Sequence, residues 1–204
     1  MDPPLIATVT FVLATTFSPG PNNVLSASIA MQRGSRGALP FLLGIGTGFS
    51  IVMLVCAGGA AFLREVFPGA EPVLKHLGAA YILWLAWSLW AGRARFGTRA
   101  ALPPSQGYCA GLGLQFVNPK VVVYGLTLYS TFLADRAREP VFLAMSALAL
   151  AAVSFASIST WAAAGAAIRR LLTTDRARSI VAAVLALSLV YAAAELVGAP
   201  GWFC

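Results

Sequence analysis

The chain has 204 residues, of which 59% are hydrophobic and only 10% charged, with a mean hydropathy of +0.80. Globular domains carry roughly 25% charged residues, and 14 basic plus 7 acidic side chains cannot cover the surface of a water-soluble domain of this size, so that class is excluded. The net charge of +7 does not point to nucleic acid either, because the basic residues sit in short connections between apolar runs rather than along one stripe.

Runs of roughly 17–25 residues without isolated charge are candidates to cross a bilayer as helices. Six such stretches follow one another, at about 4–30, 38–63, 73–92, 105–134, 141–168 and 179–197, and they define an all-α, polytopic membrane protein with a single transmembrane domain. The first carries Asp2 in place of a basic leader and has no small-residue cleavage site before a polar segment, which predicts a retained helix. The third is interrupted at its start by Lys75 and His76 but spans from Leu77 onward if it stands nearly upright.

The charge lies in the connections. Arg33, Arg36, Arg93, Arg95, Arg99, Arg169, Arg170, Arg176 and Arg178 fall in the first, third and fifth, against Arg64, Lys75, Arg136 and Arg138 in the second and fourth. Positive charge favours the cytoplasmic side, so the odd connections are expected to be cytoplasmic and both termini periplasmic. Five acidic residues, Asp2, Glu65, Glu71, Asp135 and Glu139, fall on the opposite side.

The second half of the chain repeats features of the first. Gln115-Phe116-Val117-Asn118-Pro119-Lys120 aligns near Phe17-Ser18-Pro19-Gly20-Pro21-Asn22, and 78–83 aligns with 181–186. Three spans per copy reverse the direction of the second, which predicts two inverted three-helix repeats, about 4–92 and 105–198.

Both aligned motifs lie mid-span and both contain proline. Pro19, Gly20 and Pro21 in the first and Pro119 in the second remove amide donors or admit unusual dihedrals, so the first and fourth helices are expected to be broken there. Broken backbone at bilayer depth is tolerated only where it is buried in protein or lines a polar cavity. Asn22, Asn23 and Asn118 add donors and acceptors at the same depth. Lys120 costs several kcal/mol at such a position unless it meets water, an anion or a partner. No acidic residue is placed to pair with it at depth; Glu195 falls near the end of the last span. A cation beside a helix break suits a carboxylate, aided by the freed amides. The alternatives are a structural kink closed by its asparagines, and a lysine that snorkels or is held by carbonyls of the first break.

The remaining polar residues carry less. His76 suits an interfacial cap, and Tyr81, Trp84, Trp87 and Trp90 recur at helical spacing suited to packing and interfacial anchoring. Gly44, Gly46, Gly48, Gly58 and Gly59 permit close helix contact, within the fold or between protomers of a homo-oligomer. Cys56, Cys109 and Cys204 match no disulfide or metal pattern, and nothing in the chain calls for a metal or cofactor.

The order of these motifs resembles the LysE/RhtB superfamily of amino-acid exporters. The likeness rests on Phe17–Asn22, the Arg33-Gly34-Ser35-Arg36-Gly37 connection, the glycine-spaced second span, 77–87 and Phe116–Lys120; the last two spans add only hydropathy. Pro21-Asn22-Asn23, 48–58 and 114–118 are most similar to the branch exporting cysteine and O-acetylserine. Many superfamily members carry an acidic residue just after the glycine pair of the second span, where this chain departs with Phe49, so a proton-coupling scheme that needs a membrane carboxylate has no residue there; Lys120, His76, the substrate's own charge or uncoupled transport are the alternatives. The resemblance implies efflux of a small neutral amino acid across a bacterial inner membrane, without cofactor. Export of homoserine, threonine, leucine or basic amino acids is the alternative, and an ion carrier a weaker one. An intramembrane enzyme is disfavoured because a single interfacial histidine and no deep carboxylate leave no acid–base pair. The expected substrate site is Pro19, Gly20, Pro21, Asn22, Asn23, Asn118, Pro119 and Lys120.

Overall fold

The computed structural model describes residues 3–66, 76, 79–80, 82–84, 86–87, 90, 104–133, 136, 139–169 and 174–197. Helix α1 spans Pro3–Phe17 and α2 spans Pro21–Val66; α3 spans Pro104–Val117 and α4 Pro119–Thr127, extended by a π turn over Leu128–Phe132. Helices α5, Pro140–Arg169, and α6, Asp175–Val197, follow. Residues 76, 79–80, 82–84, 86–87 and 90, in the expected third span, are also helical. The connection with Arg93, Arg95 and Arg99, the side chains of Tyr81 and Glu195, and Cys204 lie outside the described residues.

The first connection differs from expectation. Helix continues through 33–37 except at Gly34, whose φ of 75° and ψ of 169° are open to glycine and strained for any side chain. A Cβ on Gly37 would come 2.7 Å from that of Arg33, so the turn needs both glycines. Gln115 bonds Asn22 and packs where a Cβ on Gly48 would stand, and these two residues lie about equally far on either side of Gly34. The arms of α2 therefore double back on each other, and a hinge of one residue replaces the expected loop.

The other interruptions fall at the two proline motifs. Ser18–Gly20 separates α1 from α2, and Asn118 separates α3 from α4. They divide the expected first and fourth spans into pieces, of which α1 has 15 residues, α3 14 and α4 9. Each is too short to cross a 30 Å hydrocarbon core alone at 1.5 Å per residue. Among the described residues, Pro140–Ile168 is an unbroken apolar helix long enough to cross, at a mean hydropathy of 2.2, and Pro21–Gly59, at 2.1, is as apolar but is folded back at Gly34.

The second arm of α2 packs against α3 and α5. A Cβ on Gly44 would run into the Tyr108 carbonyl, one on Gly111 into the Phe41 carbonyl, and one on Gly48 would come 2.8 Å from the Leu112 carbonyl. Two helices carrying small residues at i and i+4 thus cross backbone to backbone within the fold. Gly58 and Gly59 have nothing opposite them. On α5, Gly165 lies against the Ala27 backbone of the first arm.

Three apolar clusters result. One joins Phe49, Val52, Met53 and Cys56 to Val121, Tyr124, Leu128 and Tyr129; a second joins Val24 and Met31 to Ala79, Ile82, Leu185 and Leu189; a third joins Ala30, Phe41 and Ile45 to Leu114 and Ile158. The outer surface is also apolar, with Trp84, Trp87, Val141, Leu148 and Leu187 all exposed. Such a surface suits lipid rather than water. Before α5, Arg136 pairs with Glu139 at 2.9 Å, and its hydrogen bonds hold that carboxyl below the usual range.

Candidate functional site

Where α1 ends, its last carbonyls lose their helical partners and must find others. Side chains take them one after another. The Ser18 hydroxyl donates to the Thr15 carbonyl at 2.9 Å, and the Asn23 side-chain amide donates to the carbonyls of Thr16 at 2.9 Å and Ser18 at 2.8 Å. Ser157 of α5 donates to the Thr16 carbonyl at 2.9 Å, and Trp161 to that of Phe17 at 3.3 Å. The Pro19 carbonyl receives the ammonium of Lys120 at 3.1 Å, and that ammonium also donates to the Ser18 hydroxyl at 2.7 Å.

The second break is built differently. Asn118 is the N-cap of α4, its side-chain oxygen accepting from the Lys120 amide at 3.2 Å, and Pro119 occupies the first helical position, where no amide donor is needed. In the first break the equivalent place is held by Gly20, whose carbonyl accepts from Val24 at 2.9 Å but which has no side chain to offer the opening amides of α2. A Cβ there would stand 3.1 Å from Lys120 Cδ and 3.2 Å from its nitrogen, so the lysine lies directly over the glycine.

An amide cluster ties the breaks together. Asn22 and Gln115 exchange hydrogen bonds, Asn22 donating at 2.8 Å and Gln115 at 3.0 Å, and Asn118 donates to the Asn22 oxygen at 2.9 Å. Gln115, Asn118 and Asn23 are almost fully buried. Asn23 also accepts from Ser157 at 3.2 Å. The side chains of all three asparagines therefore take part in holding the interruptions.

Beside this cluster lies a small cleft, part of it open to the outside. Ser18, Gly20, Pro21, Asn22, Asn23, Asn118 and Lys120 line it, so six of the eight expected site residues other than Pro19 and Pro119 reach its wall along with Lys120's partner Ser18. Pro19 contributes its carbonyl to Lys120, and Pro119 starts the helix that carries Lys120. The wall is completed by Thr15, Thr16, Phe49, Val121, Tyr124 and Ser154. None of the described lining residues is acidic, and Phe49 stands in the wall. His76 is exposed and does not line the cleft. Among the described residues no three His, Cys, Asp or Glu side chains gather as a metal site would require.

Residues 13–199 match the family described as LysE type translocator. The chain belongs to that family. The match runs from within α1 to the end of α6 and takes in both breaks and every residue of the cleft. Its relatives include the cysteine/O-acetylserine efflux protein of Klebsiella pneumoniae, 42% identical over 199 residues, which cover 97% of this chain and 99% of that protein. The proteins so named in Salmonella typhimurium and Escherichia coli are each 37% identical over 198 residues, 96% of this chain and 99% of theirs. No solved structure matches the chain. As a LysE type translocator the molecule is an all-helical membrane transporter, and its outward-facing tryptophans and aliphatic residues are those of a lipid-exposed surface.

Gln115, Thr15, Thr16, Ser154, Ser157 and Tyr124 were not among the residues expected at the site. Gln115 carries a sequence signal, a large amide in an apolar run, one turn before Asn118. Ser154 and Ser157 carry a weaker one, two hydroxyls three residues apart on one face of α5.

Proposed function

We propose that the chain exports small neutral amino acids, cysteine, O-acetylserine or a similar compound, from the cytoplasm across the bacterial inner membrane, and that the cleft between the two breaks is where the substrate binds. The observation that carries this reading is the reach of Lys120 from the second break to Ser18 and Pro19 of the first. The ammonium can exchange its bonds to that hydroxyl and carbonyl for bonds to a carboxylate, a stronger acceptor. Gly20 leaves the first amides of α2 without a side-chain cap, which adds donors of the same preference.

The eight site residues divide by task. Lys120 and Gly20 receive the carboxylate; Pro19, Pro21 and Pro119 end and start the helices so that backbone groups face the cleft; Asn22, Asn23 and Asn118 hold the breaks in register and present their edges to the substrate. In this reading the ammonium donates to the hydroxyls of Thr15, Thr16 and Ser154, which line the same cleft. With Phe49 in the wall and no described acidic lining residue, charge complementarity for the ammonium comes from oxygens of neutral groups.

The architecture in this reading is six spans in two inverted repeats, about 4–92 and 105–198, forming one transmembrane domain with both termini periplasmic. The hinge at Gly34, the matched breaks and the positions of Lys and Arg support it. The names of the relatives support the substrate class, with other amino acids as the alternative. The test is accumulation of cysteine and O-acetylserine in the medium of cells expressing the protein, against cells without it. Equal accumulation of both compounds in the two cultures would refute the substrate assignment.

A further inference from the structure

Lys120 and Tyr124 lie four residues apart on α4, so both face the cleft from one side of the helix, about 6 Å apart along its axis. The Tyr124 ring is held in place. It stacks on Phe11, with centroids 5.7 Å apart at 12°, and meets Phe49 at 6.2 Å and 40°. Tyr124 is 5% exposed, and its hydroxyl, beside Thr16, makes no hydrogen bond of good geometry among the described residues. A buried donor left in that state is costly, which is the condition of a group that awaits a partner.

Resting on the export reading above, we propose that Tyr124 is the residue that reads the substrate's side chain, its hydroxyl donating to a side-chain acceptor while the carboxylate is held at Lys120. The acceptor sets the preference. The ester carbonyl of O-acetylserine extends two atoms beyond the position of cysteine's sulfur. A carbonyl is also much the better acceptor. Because the aromatic clamp fixes the hydroxyl before the substrate arrives, little side-chain freedom is lost on binding. The site thereby favours amino acids bearing an acyl group over those ending in an alkyl or thiol group.

Tyr124→Phe tests this, because it removes only the hydroxyl and keeps the stacked ring. Binding of O-acetylserine, cysteine and S-methylcysteine to purified protein would be measured for wild type and variant, together with melting temperature without ligand. The expected result is a melting temperature unchanged or raised, about a tenfold loss of affinity for O-acetylserine, and less than about a twofold change for S-methylcysteine, which lacks the carbonyl. Wild type that binds O-acetylserine, with an unchanged affinity in Tyr124→Phe, would overturn the assignment of Tyr124 alone. Equal losses for all three ligands would overturn it as well, since the hydroxyl would then not read the side chain. Wild type that binds none of them would overturn the export reading and this proposal with it.

Discussion

The ammonium of Lys120 lies 2.7 Å from the hydroxyl of Ser18, a residue 102 positions earlier in the chain. Each belongs to a proline-containing interruption of an apolar helix, and the contact joins the two interruptions at one cleft. In a bilayer such backbone would otherwise be left unsatisfied, and here side chains take five successive carbonyls of the first break.

Gly20→Ala tests the closeness of that contact. The added methyl meets Lys120 at 3.1–3.2 Å, so the lysine must shift by a few tenths of an ångström. Apparent affinity for the exported amino acid should fall about tenfold, while thermal stability in detergent drops by no more than about 1 kcal/mol, the usual cost of placing alanine at an N-cap. Unchanged transport kinetics would show that the lysine's position over Gly20 does not matter.

Asn22 and Gln115 form a reciprocal amide pair, which predicts strong coupling between them. Asn22→Ala should lose about 1–3 kcal/mol of stability, because the buried Gln115 amide loses its partner, and Gln115→Ala should lose less, because Asn22 is half-buried and keeps Asn118. The double variant should lose clearly less than the sum. Strict additivity in a double-mutant cycle, read by thermal melts, would contradict the pairing.

The glycines of α2 and α3 should respond according to what stands opposite them. Gly111→Ala drives a methyl into the Phe41 carbonyl and should destabilise by about 1–3 kcal/mol, whereas Gly58→Ala meets open space and should be neutral or slightly stabilising through its better helix propensity. Equal melting temperatures for the two variants would mean that the helices do not cross where the glycines place them.

The sequence makes some of this legible and hides the rest for identifiable reasons. Proline and glycine act on the backbone at their own position, so the breaks at Ser18–Gly20 and Asn118 could be located from residue type alone. Lys120 stands out because a charge in an apolar run is costly. The hinge at Gly34 was hidden, since two arginines and a serine around two glycines read equally well as a loop. Gln115, Ser157 and Tyr124 were hidden because their roles depend on which helices lie opposite, and periodicity within one helix says nothing of that. The partners of Asn22 and Asn23 are hidden for the same reason, since Gln115 lies on a distant helix and the carbonyls of α1 are freed only at the break.

Orientation is open to direct labelling. In a background whose native cysteines are replaced, a cysteine at Ser35, which is exposed beside the Gly34 hinge, should react only with reagent on the cytoplasmic side, and one at Glu139, exposed ahead of α5, only with reagent outside. Labelling of both from one side would contradict the inverted arrangement.

The central claim, that Lys120 receives the carboxylate of an exported amino acid, is tested most directly by uptake of labelled O-acetylserine into proteoliposomes preloaded with the unlabelled compound. Wild type should exchange it, Lys120→Met should not, and Lys120→Arg should retain little because a planar guanidinium does not fit the place of a compact ammonium. All three must be incorporated at equal levels. Exchange by Lys120→Met at the wild-type rate would contradict the account.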